Sequence, residues 1–277
     1  MIRIVIPGHP VSKSNDKAFR ADGRAYMASK GNDAKYKNYE EAIAWACKTG
    51  YNGPTIDEEC ILIIKLFFKN NRRGDAHNYP KSICDGIEKS NIIKNDYLFK
   101  PVIIEEYLDK DNPRVEVEIY KTSEYDLVPR VEKLVNDAKP LRITIPGNPV
   151  SKSNFKLQSH NGKAWMPTKG KHAKYSQYET TVAWESMVAN QNNSTLDEPC
   201  IFILNLYFNS SRKRDVHNYT KSICDGIEKG NVITDDKHFK PIYIDGCIDT
   251  KNPRAEVGIY PQSKFKFVYD IKEKSIG

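Results

Sequence analysis

The sequence predicts a mixed α+β protein made of two homologous domains, each a β-β-α-β-α-β-β unit with helices packed on a mixed sheet. Two observations carry that prediction. The chain is one unit written twice: IRIVIPGHPVSKSN, from Ile2, returns as LRITIPGNPVSKSN from Leu141, and CILIIKLFFKN, from Cys60, returns as CIFILNLYFNS from Cys200. Inside each copy, apolar residues switch between the twofold alternation of strands and the 3.6-residue repeat of helices. A repeat about 140 residues long is too large for a stacked solenoid and has the size of an ordinary domain.

Residues 2–7 alternate apolar and polar, as a half-buried strand does. Asp22-Gly23 and its counterpart Asn161-Gly162 mark a hairpin turn ahead of Tyr26 and Trp165. Tyr36, Tyr39, Ala42, Ile43 and Ala46 then share one face of a helix. Cys60 to Phe68 is a continuous apolar, β-branched run, which suits a strand buried on both faces. A second helix is expected from about Asn78 to Glu88, with Asn78 as its cap and Pro80 in its first turn. Two last strands, near 101–108 and 114–120, flank an Asp/Asn/Pro turn. The domains are thus placed at 1–121 and 141–261. The connector, 122–140, is expected to be partly helical, because Val128, Val131, Leu134 and Val135 fall at helical spacing after Pro129. The tail, 262–277, has no counterpart in the connector that the sequence reveals.

Composition narrows the class. Hydrophobic residues make up 39% and charged residues 29%, as in globular proteins. No apolar run approaches the roughly 18–20 residues of a membrane span, so no membrane partner is expected. The first residues are too short an apolar stretch for a secretory signal. The six cysteines form no CxxC pair and no zinc spacing, and read as free thiols of a reducing, cytoplasmic compartment. A net charge of +7 is compatible with a nucleic-acid partner without requiring one.

The most strongly repeated stretch carries the chemistry. It runs DAHNYPKSICDGIEKSNIIKND from Asp75 to Asp96 and DVHNYTKSICDGIEKGNVITDD from Asp215 to Asp236, with differences at 76, 80, 90, 92, 94 and 95 alone. Asp75 and His77 lie just past the buried strand, where residues two apart in extended chain share a side. The loop after the helix is expected to return Asp96 to Asp75, giving one site in each half. Two carboxylates and an imidazole suit Mg²⁺ or Mn²⁺, the imidazole tilting the choice towards Mn²⁺. Such an ion lowers the pKa of a bound water and stabilises charge on a phosphate under attack. Lys81 adds a point charge for the phosphate or leaving oxygen. Arg72 and Arg73, and in the second half Arg212, Lys213 and Arg214, are placed to hold phosphates nearby. A scaffold reading makes Asp75 a helix cap, His77 a hydrogen-bonded bystander and Asp85 an i,i+4 partner of Lys81. Packing does not explain why His77, Asn78 and Lys81 persist in both copies while the flanks diverge.

These motifs together resemble the RusA-type Holliday junction resolvases, a family of endonucleases common in bacteriophages and prophages. The likeness rests on GHPVSKSN and GNPVSKSN, on the segments GRAYMASKGNDAKYKNYE and GKAWMPTKGKHAKYSQYE, and on a D-x-D-N-x-x-K motif followed by an acidic pair. The resemblance implies a divalent-metal-dependent endodeoxyribonuclease that resolves four-way DNA junctions by paired symmetric nicks. It implies catalytic roles for Asp75, Lys81 and Asp96 and for Asp215, Lys221 and Asp236. Metal binding falls to Asp75, His77 and Asp96 and to Asp215, His217 and Asp236, and Lys13 and Lys152 join the DNA-binding set. The second aspartate of the motif is histidine here, at His77 and His217, and Asn95 replaces an acid that Asp235 keeps. With Gly74 opposite Arg214, these changes predict two sites of unequal rate. Family members act as dimers, so the fused copies predict a monomeric chain working as an intramolecular pseudodimer. A non-catalytic binder of branched DNA, or a nuclease for other branched or structured nucleic acid, is the alternative.

Overall fold

A computed structural model describes residues 1–12, 19–21, 24–26, 32–71, 74–151, 158–160, 163–165, 171–191 and 193–275. The first half contains β1 (Ile2–Pro7), the hairpin β2 (Phe19–Ala21) and β3 (Arg24–Tyr26), α1 (Asn32–Gly50), β4 (Cys60–Phe68), α2 (Pro80–Lys89), β5 (Phe99–Leu108), β6 (Arg114–Lys121) and β7 (Tyr125–Lys133). The second repeats them as β8 (Leu141–Pro146), β9 (Gln158–His160), β10 (Lys163–Trp165), α3 (Lys171–Asn190), β11 (Cys200–Phe208), α4 (Thr220–Lys229), β12 (Phe239–Ile248), β13 (Arg254–Pro261) and β14 (Phe265–Glu273). The mixed α+β architecture is the one the repeat predicts.

The two copies build one continuous sheet of eight strands, in the order β1-β6-β4-β5-β12-β11-β13-β8. Within each half the central pair, β4 with β5 and β11 with β12, is parallel, and the outer pairings are antiparallel. The seam between halves is the antiparallel pairing of β5 with β12, where Val102, Ile103 and Ile104 oppose Ile244, Tyr243 and Ile242. Ile103 faces Tyr243, its own counterpart in the repeat, so an approximate two-fold axis crosses the seam there.

The helices cover one face. Ile43 and Cys47 from α1 and Ile83, Cys84 and Ile87 from α2 share a core with Leu62, Ile64 and Leu66 of β4. Gly86 permits α1 and α2 to cross closely, because a Cβ there would lie 2.8 Å from Cβ of Ile43. Gly226 does the same against Val182 at 2.6 Å. All six cysteines are free. Among the described residues, no helix is long and apolar enough to cross a membrane.

The connector departs from its sequence reading. It is a strand, β7, and not a helix. Its residues pair antiparallel with the tail strand β14 over nine positions, from Tyr125 opposite Glu273 to Lys133 opposite Phe265. Tyr125, Leu127 and Val131 alternate inward with period two, and this alternation outweighs the helical spacing of the valines. Pro129 is tolerated because a two-stranded ribbon leaves edges where a missing N–H costs nothing. Pro129 faces Tyr269, again its own counterpart, so the ribbon lies on the same two-fold axis. The tail therefore does have a counterpart in the connector, unrecognisable by residue identity. Tyr125, Leu127, Phe267, Tyr269 and Ile271 cover Ile61, Ile63, Ile103 and Tyr243 on the sheet face opposite the helices.

Candidate active sites

Asp75 sits in extended conformation and is followed by a 3₁₀ turn, Ala76–Asn78. That turn, rather than an extended chain, sets the direction of His77. Asn78 does not cap α2; its amide Nδ2 donates to Asp75 Oδ2 at 2.7 Å and fixes the carboxylate. The second half repeats the device, with Asn218 Nδ2 donating to Asp215 Oδ2 at 2.9 Å. The turn is tied to the chain's opening segment. Ser12 Oγ donates to the Asn78 carbonyl at 3.0 Å, and Ser82 Oγ to the Val11 carbonyl at 2.6 Å. Ser151 and Ser222 make the equivalent bonds to the carbonyls of Asn218 and Val150.

The third acid comes from the other half, which corrects the expected grouping of Asp75 with Asp96. Asp75, His77 and Asp236 bring one ligand atom each within 4.8 Å of one another. His77 Nε2 lies 3.5 Å from Asp236 Oδ2. In the companion site His217 Nε2 lies 3.6 Å from Asp96 Oδ2, and Asp96 shares a hydrogen bond with Asp215. The cause is the antiparallel seam. It sets the start of β12 beside the end of β5, where Asp75 emerges past the end of parallel β4, and Asp236 opens the 3₁₀ turn, Asp236–His238, that leads into β12. The lysines cross as well. Lys221 Nζ donates to Asn78 Oδ1 at 3.3 Å and lies near enough to Asp75 to lower its pKa. Lys81 acts likewise on His217. Both clusters draw on both halves, and among the described residues Asp75, His77 and Asp236 are the set whose three ligand atoms all lie within 4.8 Å of one another.

The family described as endodeoxyribonuclease RusA matches residues 7–120 and, again, residues 146–260. The chain belongs to the RusA family. It is 29% identical over 118 residues to the crossover junction endodeoxyribonuclease RusA of Aquifex aeolicus (strain VF5), a match covering 43% of this chain and 90% of that one. One RusA unit therefore accounts for nearly the whole relative, and this chain carries two.

The electrostatics of these RusA sites fit a divalent cation. Burial, then the neighbouring Asp75, Asp225, Glu228 and Asp235, push the Asp236 carboxyl up to about 8. Burial, then Asp215, Glu88 and Asp85, do the same to Asp96, also to about 8. Asp75 is raised too, first by burial and then by Asp235. Burial lowers His217 to about 4, so its imidazole is neutral at pH 7 with a lone pair to offer. Among the described residues, neither ring nitrogen of His217 has a hydrogen-bond partner. Crowded carboxylates beside a neutral imidazole are a donor set whose mutual repulsion a cation relieves.

These shifts fix a pH dependence for the metal-free protein. The folded chain keeps protons on Asp96 and Asp236 that the unfolded chain releases near 3.8. Stability from these two groups is full below about pH 4 and is lost as pH rises towards 8. The melting temperature in chelator is expected to fall between about pH 5 and 8. The fall should be shallower in Asp96→Asn/Asp236→Asn, and equal slopes would contradict the assignment.

Of the predicted DNA-binding residues, Lys13, Arg72, Arg73 and Lys152 lie outside the described residues. Arg212 and Lys213 are exposed. Lys213 Nζ donates to Tyr97 OH of the other half at 2.5 Å and lies 4.5 Å from its ring centre. Arg214 is half-buried, donates to the carbonyls of Ser210 and Arg212 and lies over the Phe208 ring, so it shapes its own loop. Sequence reasoning missed the carboxylate-fixing role of Asn78 and Asn218, whose signals were recurrence and the asparagine of the D-x-D-N-x-x-K motif. It also missed Ser12 and Ser151, whose signal was the repeated PVSKSN segment.

Proposed function

We propose that this chain cuts branched DNA, and four-way junctions above all, using one composite site for each of two strands. The observation that carries the reading is the pair of acid–histidine sites, each assembled from both halves and related by the pseudo-two-fold axis. A four-way junction has approximate two-fold symmetry, which a two-fold pair of sites matches. The relative's own name, crossover junction endodeoxyribonuclease, supports the same substrate class.

Asp75, His77 and Asp236 would hold Mg²⁺ or Mn²⁺ at one site, and Asp215, His217 and Asp96 at the other. When bound, the ion supplies Lewis acidity and a water of lowered pKa. The chain's own residues do the rest. Asn78 and Asn218 orient the leading aspartates, and Lys221 and Lys81 reach across the seam with a positive charge for the phosphate. The seam and the ribbon hold both halves in one molecule, so assembly does not depend on concentration.

The test is a strand-labelled four-way junction beside a linear duplex, with Mg²⁺ or Mn²⁺, for the wild type and Asp75→Asn/Asp215→Asn. Symmetric nicks in the junction alone, lost in the variant, are expected. Salt-sensitive binding without nicks would identify a binder instead. Equal cutting of the duplex would point to another substrate.

A further inference from the structure

A cleft of about 380 Å³ opens beside one of the two sites, lined among others by Tyr97, Lys100, Ser211, Arg212, Lys213 and Gly246. Its walls continue directly into that site, since Tyr97 follows Asp96 and the lining residues Arg214 and Val216 flank Asp215. Its volume lies at the small end of the roughly 300–1,000 Å³ of ligand pockets, the scale of a single nucleotide. Its chemistry is cationic and aromatic, the combination that holds single-stranded nucleic acid by phosphate contact and base stacking. Two carboxylates also line it, but Glu59 is paired with Lys100 at 2.7 Å and Asp57 with Lys94 at 2.5 Å, which offsets their charge.

At the pseudo-symmetric positions the sequence keeps the cations, as Lys240, Arg72 and Arg73, but three other features differ. Lys237 stands where Tyr97 does, and Gly74 where Arg214 does. Gly246 becomes Glu106, whose carboxylate is buried and lies 3.5 Å from Lys240. The exchange is compensated. A Cβ on Gly246 would meet Val216 Cγ1 at 2.7 Å, whereas Ala76 replaces that valine beside Glu106. A carboxylate has thus replaced bare backbone, and it disfavours a phosphate by like-charge repulsion.

We propose that this cleft binds one nucleotide of a DNA strand and serves the Asp96–Asp215–His217 site alone, gripping one strand of the substrate ahead of its partner. The phosphate rests on Arg212 and Lys213, and the base stacks on Tyr97, displacing the Lys213 ammonium from that ring. This rests on the junction-cutting reading, and the experiment separates the two.

The probe is the single-stranded tetranucleotide dT₄, titrated calorimetrically into the full chain at low salt without divalent metal. One dT₄ per chain is expected, weakened about tenfold in Tyr97→Ala/Lys213→Ala. The graft of the first-half pair, Val216→Ala/Gly246→Glu, should weaken it similarly. Nicking of a labelled junction is then compared in two backgrounds. With Asp236→Asn, which leaves the cleft-side site, Tyr97→Ala/Lys213→Ala should slow nicking about tenfold. With Asp96→Asn, which leaves the other site, the same change should stay within twofold. Unchanged dT₄ binding, two dT₄ per chain, or equal slowing in both backgrounds would overturn the subsite. One cleft-dependent dT₄ per chain with no junction nicking by any variant would keep the subsite and overturn the junction-cutting reading.

Discussion

Asp75→Asn combined with Asp236→Asn is expected to leave one strand of a junction cut at near the wild-type rate, whereas Asp75→Asn combined with Asp96→Asn abolishes cutting of both. Asp75 and Asp236 belong to one cluster, with His77 Nε2 3.5 Å from Asp236 Oδ2. Asp96 belongs to the other, beside His217 and Asp215. Removing a second carboxylate from an already silent site adds nothing. Removing one from each leaves both cation sites incomplete, at a cost on the order of 10³-fold per site if several kcal/mol of charge stabilisation is lost. Strand-resolved nicking of a four-way junction with each strand labelled in turn measures this. If each site instead lay within one half, the two double variants would exchange behaviours, so that result would refute the composite geometry.

The second large effect concerns stability. Deleting residues 262–277 removes β14 and leaves all nine residues of β7 without their partners. It uncovers Ile61, Ile63, Ile103 and Tyr243, now covered by Phe267, Tyr269 and Ile271. It also removes the hydrogen bond from Tyr269 OH to Glu105 and the Arg130–Asp270 ion pair across the ribbon. Each apolar side chain withdrawn uncovers surface worth about 1.5–3 kcal/mol when fully buried, and less here because burial is partial. Several such losses are comparable to the whole stability of a domain. The truncated chain is expected to melt many degrees lower and to expose apolar surface that binds a hydrophobic dye. Phe267→Ala alone should cost about 2 kcal/mol in urea denaturation. Both sites should fail together in the truncated chain, since each needs the halves in register. A truncated chain with unaltered melting and nicking would refute the ribbon's role.

Much of this molecule was legible from two strings of residues. Cys60–Phe68 reads as a buried strand and is one, because β-branched and aliphatic residues without alternation suit a strand covered on both faces. The repeat exposed Asp75, His77, Lys81 and Asp96, and the structure gathers all of these residue types into sites. What the sequence did not disclose is the partner of each. Within one copy, nothing distinguishes Asp96 approaching its own Asp75 from Asp96 approaching Asp215. The choice is made by the register at Ile103 and Tyr243, a long-range pairing that leaves no periodic mark. β7 was hidden for a different reason. Val128, Val131, Leu134 and Val135 mimic a helix face, while the residues that are packed, Tyr125, Leu127 and Val131, lie two and four apart around a proline. The helix-cap reading of Asn78 failed because α2 starts one residue later, with Tyr79 at its cap position, and the Asn78 oxygen that would cap accepts from Lys221 instead.

The crossed ownership of the acids has a consequence for synthesis. A ribosome delivers Asp75 and His77 long before Asp236, and Asp96 long before Asp215. At roughly 5–20 residues per second, the wait between Asp75 and Asp236 is about ten to thirty seconds. During that interval the first domain can fold its half of the sheet but owns neither complete set of acids. Under the proposed function a nascent chain is thus harmless to DNA, and cutting power arrives late, by completion rather than by encounter with a second molecule.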